Sequence, residues 1–294
     1  MGLKQKLESG GFAVTTEMAP PKGTDFKRFK ECALAVKGMV DAVNVTDFQS
    51  AVVRASSLGA ATILLEEGLE PVMQITGRDR NRIAIQGELL SAGALGIKNV
   101  LALTGDHPSF GDNPQAKGVF EMDSVNILQV AGTLMGGKDL AGNDLAGTPD
   151  FYLGASVTPV YDPMELQLLK MKKKIQVGAR FFQTQAVFDI ELFKKFITAM
   201  GDIDAKILVG VIPLKSPGMA NYMNKNVPGI FVPDEIIERL RKSQDRVKEG
   251  LKIAAEFINE VRQQKLCDGI HIMAIGAEEN VPALLEMCDL DSAA

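Results

Sequence analysis

The feature that most constrains this chain is a regular alternation of short apolar runs, rich in β-branched residues, with longer amphipathic stretches. Such an alternation is typical of βαβ units, in which parallel strands are covered by helices. The pattern repeats about eight times along the chain. Predicted strands cover residues 12–17, 40–46, 71–76, 98–104, 151–157, 179–184, 206–212 and 269–275.

Helices are predicted between these strands. Several predicted helices end in a glycine, a residue that adopts the left-handed conformation needed to turn the chain into the next strand. The capping positions are Gly38, Gly68, Gly96 and Gly178, whereas Gly210 interrupts a strand and indicates a close backbone approach. The predicted helices cover residues 26–37, 50–67, 81–95, 124–134, 164–177 and 190–200, with a pair across 234–264.

A tally of eight strands favours a closed barrel over an open, doubly wound sheet. No GxGxxG sequence follows the first strand, as a Rossmann fold would require. With 294 residues, 46% of them hydrophobic, the chain can bury one large core, and no linker divides it. The predicted fold is therefore a single-domain (β/α)8 TIM barrel over residues 1–294.

Composition excludes several classes of function. The net charge of −5 comes from 37 acidic and 32 basic residues spread along the chain, which gives no basic stripe for nucleic acid. The chain shows no signal peptide and no apolar stretch that spans a bilayer, so we expect a soluble, cytoplasmic protein with no membrane partner. Three scattered cysteines and two histidines show no metal-ligand spacing, which predicts reduced, buried thiols and no metal.

Polar side chains at the carboxyl ends of barrel strands are the first candidates for a site, because barrel active sites form at that face. One irregular loop, 107–117, follows the fourth strand on this face, whereas a glycine-rich excursion at 136–149 lies at the opposite end. The polar residues at or just beyond the ends of predicted strands are Glu17, Thr46, Gln74, Thr76, Asp106, Thr184 and Gln185.

Glu17 has the most suggestive setting, in VTTEMAPPKG. Its apolar neighbours Met18, Pro20 and Pro21 would favour the protonated form of a carboxyl group, which suits a general acid. The alternative is a solvated carboxylate at a strand exit. For Asp106, next to Gly105, a site role and a structural role both stay open, because aspartate is also a common turn former and helix N-cap.

The lysines and histidines allow two interpretations each. Lys170, Lys172, Lys173 and Lys174 fall on one predicted helix, and such a run is more often a solvated face than a phosphate site at the barrel mouth. His107 follows Asp106 directly and is a candidate site residue. His271 lies inside the last predicted strand, where a hydrogen-bonded core histidine is the simplest interpretation.

Four motifs in barrel order carry a resemblance to a known family. They are VTTEMAPPKG on the first strand, VNVTDF on the second, LALTGD on the fourth and GARFFQTQAVFD on the sixth. Together they resemble the methylenetetrahydrofolate reductases, over essentially the whole chain. The resemblance implies a flavin-binding barrel that reduces 5,10-methylenetetrahydrofolate to 5-methyltetrahydrofolate.

The resemblance also implies a role for individual residues. Glu17 matches the family's catalytic glutamate, the general acid that protonates the pterin as the methylene bridge opens. Asp106 matches a catalytic aspartate beside both the flavin and the folate, and Gln185 and Met273 match positions that bind the folate. The implied flavin contacts are Thr46, Gln74, Thr104, Asp106, Ser156, Lys170, Lys173 and Lys174.

Some positions depart from the family pattern. Relatives that bind FAD carry Asp and Asn with basic residues on the helix after the fifth strand, where this chain has Gln167 and lysines, so FAD and FMN both stay open. Met273 and Ala277 stand where some NADH-using relatives have an aromatic residue and an arginine. The electron donor is therefore either NAD(P)H or an iron–sulfur or zinc partner subunit.

The segments GRDRNR and 213–233 resemble the branch of the family found in anaerobic bacteria, whose barrel can work beside a second subunit, so we expect an oligomer or a heteromeric assembly. Two other functions remain to be weighed. A pterin-binding methyltransferase barrel would bind methyl-folate without a flavin. A noncatalytic scaffold subunit is disfavoured by the joint presence of Glu17, Asp106 and Gln185.

Overall fold

A computed structural model describes residues 2–290, and its eight parallel strands close into one barrel in sequence order. The predicted (β/α)8 barrel is therefore confirmed, while the predicted domain of residues 1–294 extends beyond the described range at both ends. The strands are β1 (Ala13–Met18), β2 (Ala42–Val45), β3 (Pro71–Thr76), β4 (Asn99–Leu103), β5 (Tyr152–Val157), β6 (Phe181–Ala186), β7 (Lys206–Val211) and β8 (Gly269–Met273).

Helices surround the barrel and connect successive strands. They are α1 (Leu3–Glu8), α2 (Lys27–Ala35), α3 (Ser57–Glu66), α4 (Arg82–Ala94), α5 (Ser124–Met135), α6 (Met164–Gln176), α7 (Ile190–Met200), α8 (Pro217–Asn226), α9 (Asp234–Lys242), α10 (Arg246–Gln263) and α11 (Val281–Glu286). Apolar side chains on the outer faces of the strands pack against these helices and form the largest core cluster.

The predicted strands agree with the structure to within two residues at each end. The start of one helix was predicted wrongly. In the predicted helix 50–67 the α-helix begins only at Ser57, where the Ser56 side chain caps it by accepting from the Gly59 amide. Thr184 and Gln185 lie inside β6 and do not follow it, which corrects the predicted end of that strand. The helices α1, α8 and α11 were not predicted, since they are short or begin with proline.

The glycine assignments hold. The four predicted capping glycines have φ between 72° and 112°. At Gly210 the reason is space, because a Cβ there would lie 2.3 Å from the Thr184 carbonyl oxygen and 2.8 Å from Met273 Cε. The β6–β7 register shifts between Gln183 and Ala186, opposite this position. The close backbone approach predicted at Gly210 is thus confirmed.

The barrel interior is layered. Its base is apolar, where fully buried Leu3 and Leu7 of α1 pack on inward side chains that include Leu101, Phe181 and Leu208. Phe181 stacks on Tyr152 with ring centroids 5.2 Å apart. Above this layer lie buried polar side chains, and above those an open cavity at the carboxyl ends of the strands. Helix α1 therefore closes one end of the barrel, and the site occupies the other.

Within 2–290, no helix has both the length and the apolar character needed to cross a bilayer.

The three cysteines, Cys32, Cys267 and Cys288, are free thiols, and each is only partly buried. Burial raises the pKa of Cys267 and of Cys288 to about 12. These thiols are therefore poor nucleophiles at neutral pH.

Candidate active site

A cavity of about 700 Å³ opens at the carboxyl ends of the strands. It brings together residues from β1, β3, β5, β6 and β8 and from the connections that follow β2 and β4. Thr46 does not line it: the Thr46 hydroxyl is buried without a hydrogen-bond partner among the described residues, and Asp47, the next residue, lines the cavity instead. The predicted site residues in the wall are Glu17, Gln74, Thr104, Asp106, Ser156, Lys170, Lys173, Lys174, Gln185 and Met273.

Glu17 is a buried carboxylate of this cavity, with 8% of the residue exposed. Its Oε1 accepts a hydrogen bond from Gln49 Nε2 at 3.1 Å, and its Oε2 accepts one from Gln74 Nε2 at 3.4 Å. His271 Nε2 lies 3.7 Å from Oε2. The interpretation of Glu17 as a solvated carboxylate is therefore wrong, because the side chain is enclosed and oriented by polar partners.

A second cavity, of about 460 Å³, adjoins the first at Glu17 and Gln49. Its other walls come from α2, including Arg28 and Cys32, and from the segment after β8, including Gly276. Glu17 thus contacts open space on two sides while its carboxylate oxygens are held by amides.

Asp106 follows Gly105, whose φ of 90° turns the chain after β4. The helix-cap interpretation is wrong for Asp106, because the cap of the following 3-10 turn is His107, whose Nδ1 accepts from the Ser109 amide at 3.2 Å. Asp106 lines the cavity as an exposed residue, and its backbone carbonyl accepts from Arg78. His107 stacks on Phe120 and does not line the cavity.

A strained turn supplies Gln49 to the site. Phe48, Ser50 and Ala51 have φ of 47°, 56° and 57°, which is unfavourable for residues other than glycine. Arg78, almost completely buried, donates from Nη2 to the Phe48 carbonyl at 3.1 Å and from Nη1 to the Asp106 carbonyl at 3.3 Å. Arg78 therefore joins the connections after β2 and β4 at the cavity.

A buried ion pair supports the same region. Arg80 Nη1 donates to Asp47 Oδ2 at 2.6 Å, and this oxygen also accepts from the Thr76 amide and hydroxyl. Sequence reasoning missed Gln49, Arg78 and this pair as parts of the site. The signal for the two arginines is GRDRNR, a run of charged residues directly after the third strand on the face where barrel sites form.

The lysine cluster is divided between two faces of α6. Lys170, Lys173 and Lys174 line the cavity, whereas Lys172 is exposed and does not. Lys174 is 8% exposed and donates from Nζ to the Ser156 carbonyl at 2.7 Å. Burial, reinforced by repulsion from Lys170, lowers the pKa of Lys174 to about 8.

The irregular loop predicted at the site lies over the barrel mouth. Asp112 forms an ion pair with Lys22, which follows β1, and accepts from the Val53 amide at 3.1 Å. The bond from Lys22 and the bond from this amide lower the pKa of Asp112 to about 2. The loop after β4 thereby reaches the segments that follow β1 and β2.

The wall can hold a phosphate-bearing cofactor but offers no metal site. Among residues 2–290, no group of three or more His, Cys, Asp and Glu side chains is placed to bind a metal ion. Lys174 is a buried cation that donates to a carbonyl, and Lys170 and Lys173 lie beside it in the wall. A phosphate group would give these lysines a hydrogen-bonded anion. Gln74 and Thr104 offer polar groups in the same wall for a ring system.

Comparison with proteins of known structure gives a matching barrel. A protein from Clostridium thermocellum, described as binding two copies of 5-methyl-5,6,7,8-tetrahydrofolic acid, aligns with a TM-score of 0.65 and 17% identity, over 97% of this chain and 96% of that one. A 2,3-dimethylmalate lyase aligns with a TM-score of 0.50 and 11% identity. At these identities the likeness shows the fold alone.

Sequence comparison is more specific. The chain is 24% identical over 246 residues to a probable methylenetetrahydrofolate reductase (NADPH) of Caenorhabditis elegans, covering 81% of this chain and 35% of that protein. It is 27% identical over 162 residues to a 5,10-methylenetetrahydrofolate reductase of Pectobacterium carotovorum, covering 53% and 47%. The chain thus spans about a third to a half of these relatives. Because the family model described as methylenetetrahydrofolate reductase matches residues 2–289, nearly the whole barrel, this chain belongs to that family.

Proposed function

We propose that this chain is a flavin-dependent reductase that converts 5,10-methylenetetrahydrofolate to 5-methyltetrahydrofolate. The observation that carries the proposal is the enclosed Glu17 carboxyl in the wall of the cavity, with Asp106 and Gln185 in the same wall. Membership of the family and the matching curated relatives support the same reaction.

In this proposal Glu17 is the general acid. Gln49 and Gln74 hold its two oxygens by their amide groups, so the carboxyl has one defined orientation toward the cavity. From that position it gives a proton to the pterin nitrogen that leaves the methylene carbon as the five-membered ring opens. A positioned acid of this kind contributes about 10²–10⁴-fold to the rate.

Gln185 and Asp106 orient the pterin. The Gln185 side-chain oxygen accepts from the Ala186 amide at 3.1 Å, which leaves its NH₂ group free to donate to the substrate. Asp106 presents an acceptor for the N–H groups of the pterin ring from the β4 side of the cavity. Together they fix which edge of the ring lies beside Glu17.

A bound flavin supplies the two-electron chemistry of this reaction. Lys170, Lys173 and Lys174 would hold its phosphate group, and Gln74, Thr104 and Ser156 would contact its ring system and ribityl chain. Both FMN and FAD carry the phosphate that these lysines require, so the proposal covers either cofactor.

The proposal allows two alternative electron donors. NAD(P)H would reach the flavin through the barrel mouth, whereas an iron–sulfur or zinc partner subunit would dock at that mouth and deliver electrons to it. Met273, in the cavity wall on the β8 side, would contact either the folate or the incoming donor. We place the enzyme in the cytoplasm and expect it to form an oligomer or a heteromeric complex.

An anaerobic absorbance titration of the purified chain tests the proposal. We expect a flavin spectrum that is bleached by a chemical reductant and restored by methylenetetrahydrofolate. Bleaching by NADH or NADPH would identify a nicotinamide donor, and failure of both would indicate a partner subunit. A folded chain that neither contains nor takes up flavin would contradict the proposal and favour the methyltransferase barrel, which needs none.

Replacement of the acid gives a more specific test. In Glu17→Gln we expect flavin binding to persist while reoxidation of reduced flavin by methylenetetrahydrofolate slows by about 10²–10⁴-fold, because the amide has no acidic proton. Stopped-flow absorbance measures this rate. The matched control is Glu66→Gln, an exposed carboxylate outside the cavity, which should react like the parent. A Glu17→Gln variant with the parent's rate would remove Glu17 from the mechanism.

A further inference from the structure

A chain of buried polar side chains crosses the barrel interior directly beneath Glu17. Asn44 and Gln183 exchange two hydrogen bonds between their amide groups, at 2.6 and 2.9 Å. Gln183 Nε2 also donates to Thr15 Oγ1 at 3.3 Å, and Thr15 Oγ1 lies 3.0 Å from His271 Nδ1. All four residues are at most 3% exposed. The chain ends at His271, the residue whose other ring nitrogen faces Glu17.

The hydrogen bonds of Thr15 determine which nitrogen of His271 carries a proton. The Thr15 hydroxyl has one hydrogen, and it donates this hydrogen to the Ile270 carbonyl at 3.1 Å, a group that can only accept. The Gln183 amide donates to the same oxygen. The remaining contact, with His271 Nδ1, is therefore a hydrogen bond in which Nδ1–H donates to Thr15 Oγ1.

This assignment fixes what His271 presents to Glu17. In a neutral ring with the proton on Nδ1, Nε2 carries a lone pair, and this nitrogen lies 3.7 Å from Glu17 Oε2. At this distance the two atoms make no direct hydrogen bond, so a proton passes between them through one bridging water or after a small rotation of the Glu17 side chain, without the ring turning over. Thr15, which is fixed to β8 through the Ile270 carbonyl, keeps the ring in this orientation.

We infer that His271 is the positioning residue that retains the proton of Glu17, an inference that rests on the proposed function. The pair shares one proton beyond the one on Nδ1: either Glu17 carries it beside a neutral His271, or His271 carries it beside the Glu17 carboxylate. When Glu17 gives this proton to the pterin nitrogen, a carboxylate and a neutral imidazole remain. Solvent then returns one proton to the pair, and the balance is restored.

The other charged groups near the pair lie on identified elements. Asp47, Arg78 and Asp106 line the same cavity from the connections after β2, β3 and β4, and the lysines line it from α6. On β7 the residue paired with His271 is Gly210, which has no side chain to compete for the proton. The ion pair of Lys206 with Asp268 lies at the opposite end of β7 and β8. Glu17 is therefore the one ionisable partner of His271 among the described contacts.

Nitrogen NMR tests the proton assignment without any turnover. The chain has only two histidines, His107 and His271, so a sample with ¹⁵N-labelled histidine gives two ring systems, and His107→Gln assigns them. We expect the His271 ring to carry a proton on Nδ1, either alone or with a second proton on Nε2. A neutral ring protonated only on Nε2 would overturn the inference, whether or not the chain proves to be a reductase.

Kinetics of His271→Gln test the consequence. Glutamine keeps a polar side chain but cannot hold a titratable proton, so reoxidation of reduced flavin by methylenetetrahydrofolate should slow by about ten-fold or more at alkaline pH. The rate should recover toward the parent's at acid pH, because solvent then supplies the proton. Flavin content should not change. A loss of the same size at every pH would indicate a structural role and overturn the inference.

A second pair of variants covers the case in which His271→Gln does not fold. Thr15→Ser keeps the hydroxyl that accepts from Nδ1, and Thr15→Val removes it with little change in shape. We expect Thr15→Ser to retain the parent's pH profile and Thr15→Val to lose rate at alkaline pH. Equal profiles in the two variants would contradict the role assigned to the Thr15–His271 bond. A parent chain that binds no flavin would instead refute the proposed function.

Discussion

At the scale of single residues, one buried side chain of the site, Lys174, lowers the stability of the folded chain. Lys174 is a buried cation whose Nζ donates to a carbonyl, and burial lowers its pKa from 10.5 to about 8. A shift of this size corresponds to a cost of about 3 kcal/mol in the folded state when both states are protonated. Such a cost is compensated when an anion enters the cavity, which is why we assign Lys174 to the phosphate of the cofactor.

Lys174→Met should separate stability from binding. Methionine keeps the length of the side chain and removes the charge, so the flavin-free protein should gain up to about 3 kcal/mol at neutral pH. Flavin affinity should fall by about ten-fold or more, because a charge-assisted hydrogen bond to phosphate is lost. Urea unfolding and fluorescence titration measure the two effects. Lys172→Met, on the exposed face of α6, is the control and should change neither.

The same lysine predicts a pH dependence of stability. Between about pH 8 and 10.5 the unfolded chain binds a proton at this position that the folded chain does not, so the free energy of unfolding rises with pH across this window. Below the window both states carry the proton and the full cost is present. Urea unfolding of the flavin-free parent and of Lys174→Met should therefore converge as the pH approaches 10.5. A difference that stays constant would contradict the assignment.

At the scale of elements, β6 and β7 meet in an irregular pairing that leaves no room beside Gly210. In Gly210→Ala the new Cβ would lie 2.3 Å from a backbone oxygen of β6, and backbone cannot move aside as a side chain can. We expect a loss of about 1–3 kcal/mol in the free energy of unfolding. Gly87→Ala, on the exposed face of α4 with open space around it, should instead gain about 0.5–1 kcal/mol. Equal effects in the two variants would show that space is not the reason for Gly210.

The elements also show which parts of the structure could be predicted from local sequence patterns. Strands and most helices could be predicted because their periodicity and glycine caps are local. The turn at Phe48–Ala51 could not, since its positive φ values occur at residues other than glycine and depend on Arg78, which lies about 30 positions further along the chain. Glu17, Asp106 and Gln185 could be identified as polar residues at the ends of strands, and the family motifs gave them roles. Gln49 and His271 gained their place only from contacts across the barrel.

At the scale of the whole molecule, the two ends of the barrel have different tasks. Leu7 of α1 is fully buried in the apolar base and does not itself line the cavity, although Leu101 belongs to both the base and the cavity wall. Leu7→Ala should therefore cost about 2–5 kcal/mol in the free energy of unfolding, as expected for a large-to-small change in a core. Flavin affinity and the rate of flavin reoxidation, measured at a temperature where the variant is folded, should equal the parent's. A loss of flavin affinity would show that the base and the mouth are coupled.

The closed base also determines the route by which reactants enter and leave the cavity. Between α1 and the cavity lie an apolar layer and the buried polar chain of Thr15, Asn44 and Gln183, so nothing passes through the barrel from end to end. Whatever enters at the mouth must leave by the mouth. If reductant and folate use the same opening, one must depart before the other can approach the cofactor. Since the base is closed, the two reactants of the proposed reaction have to enter and leave on the carboxyl-end side of the barrel, and they would occupy the cavity in turn.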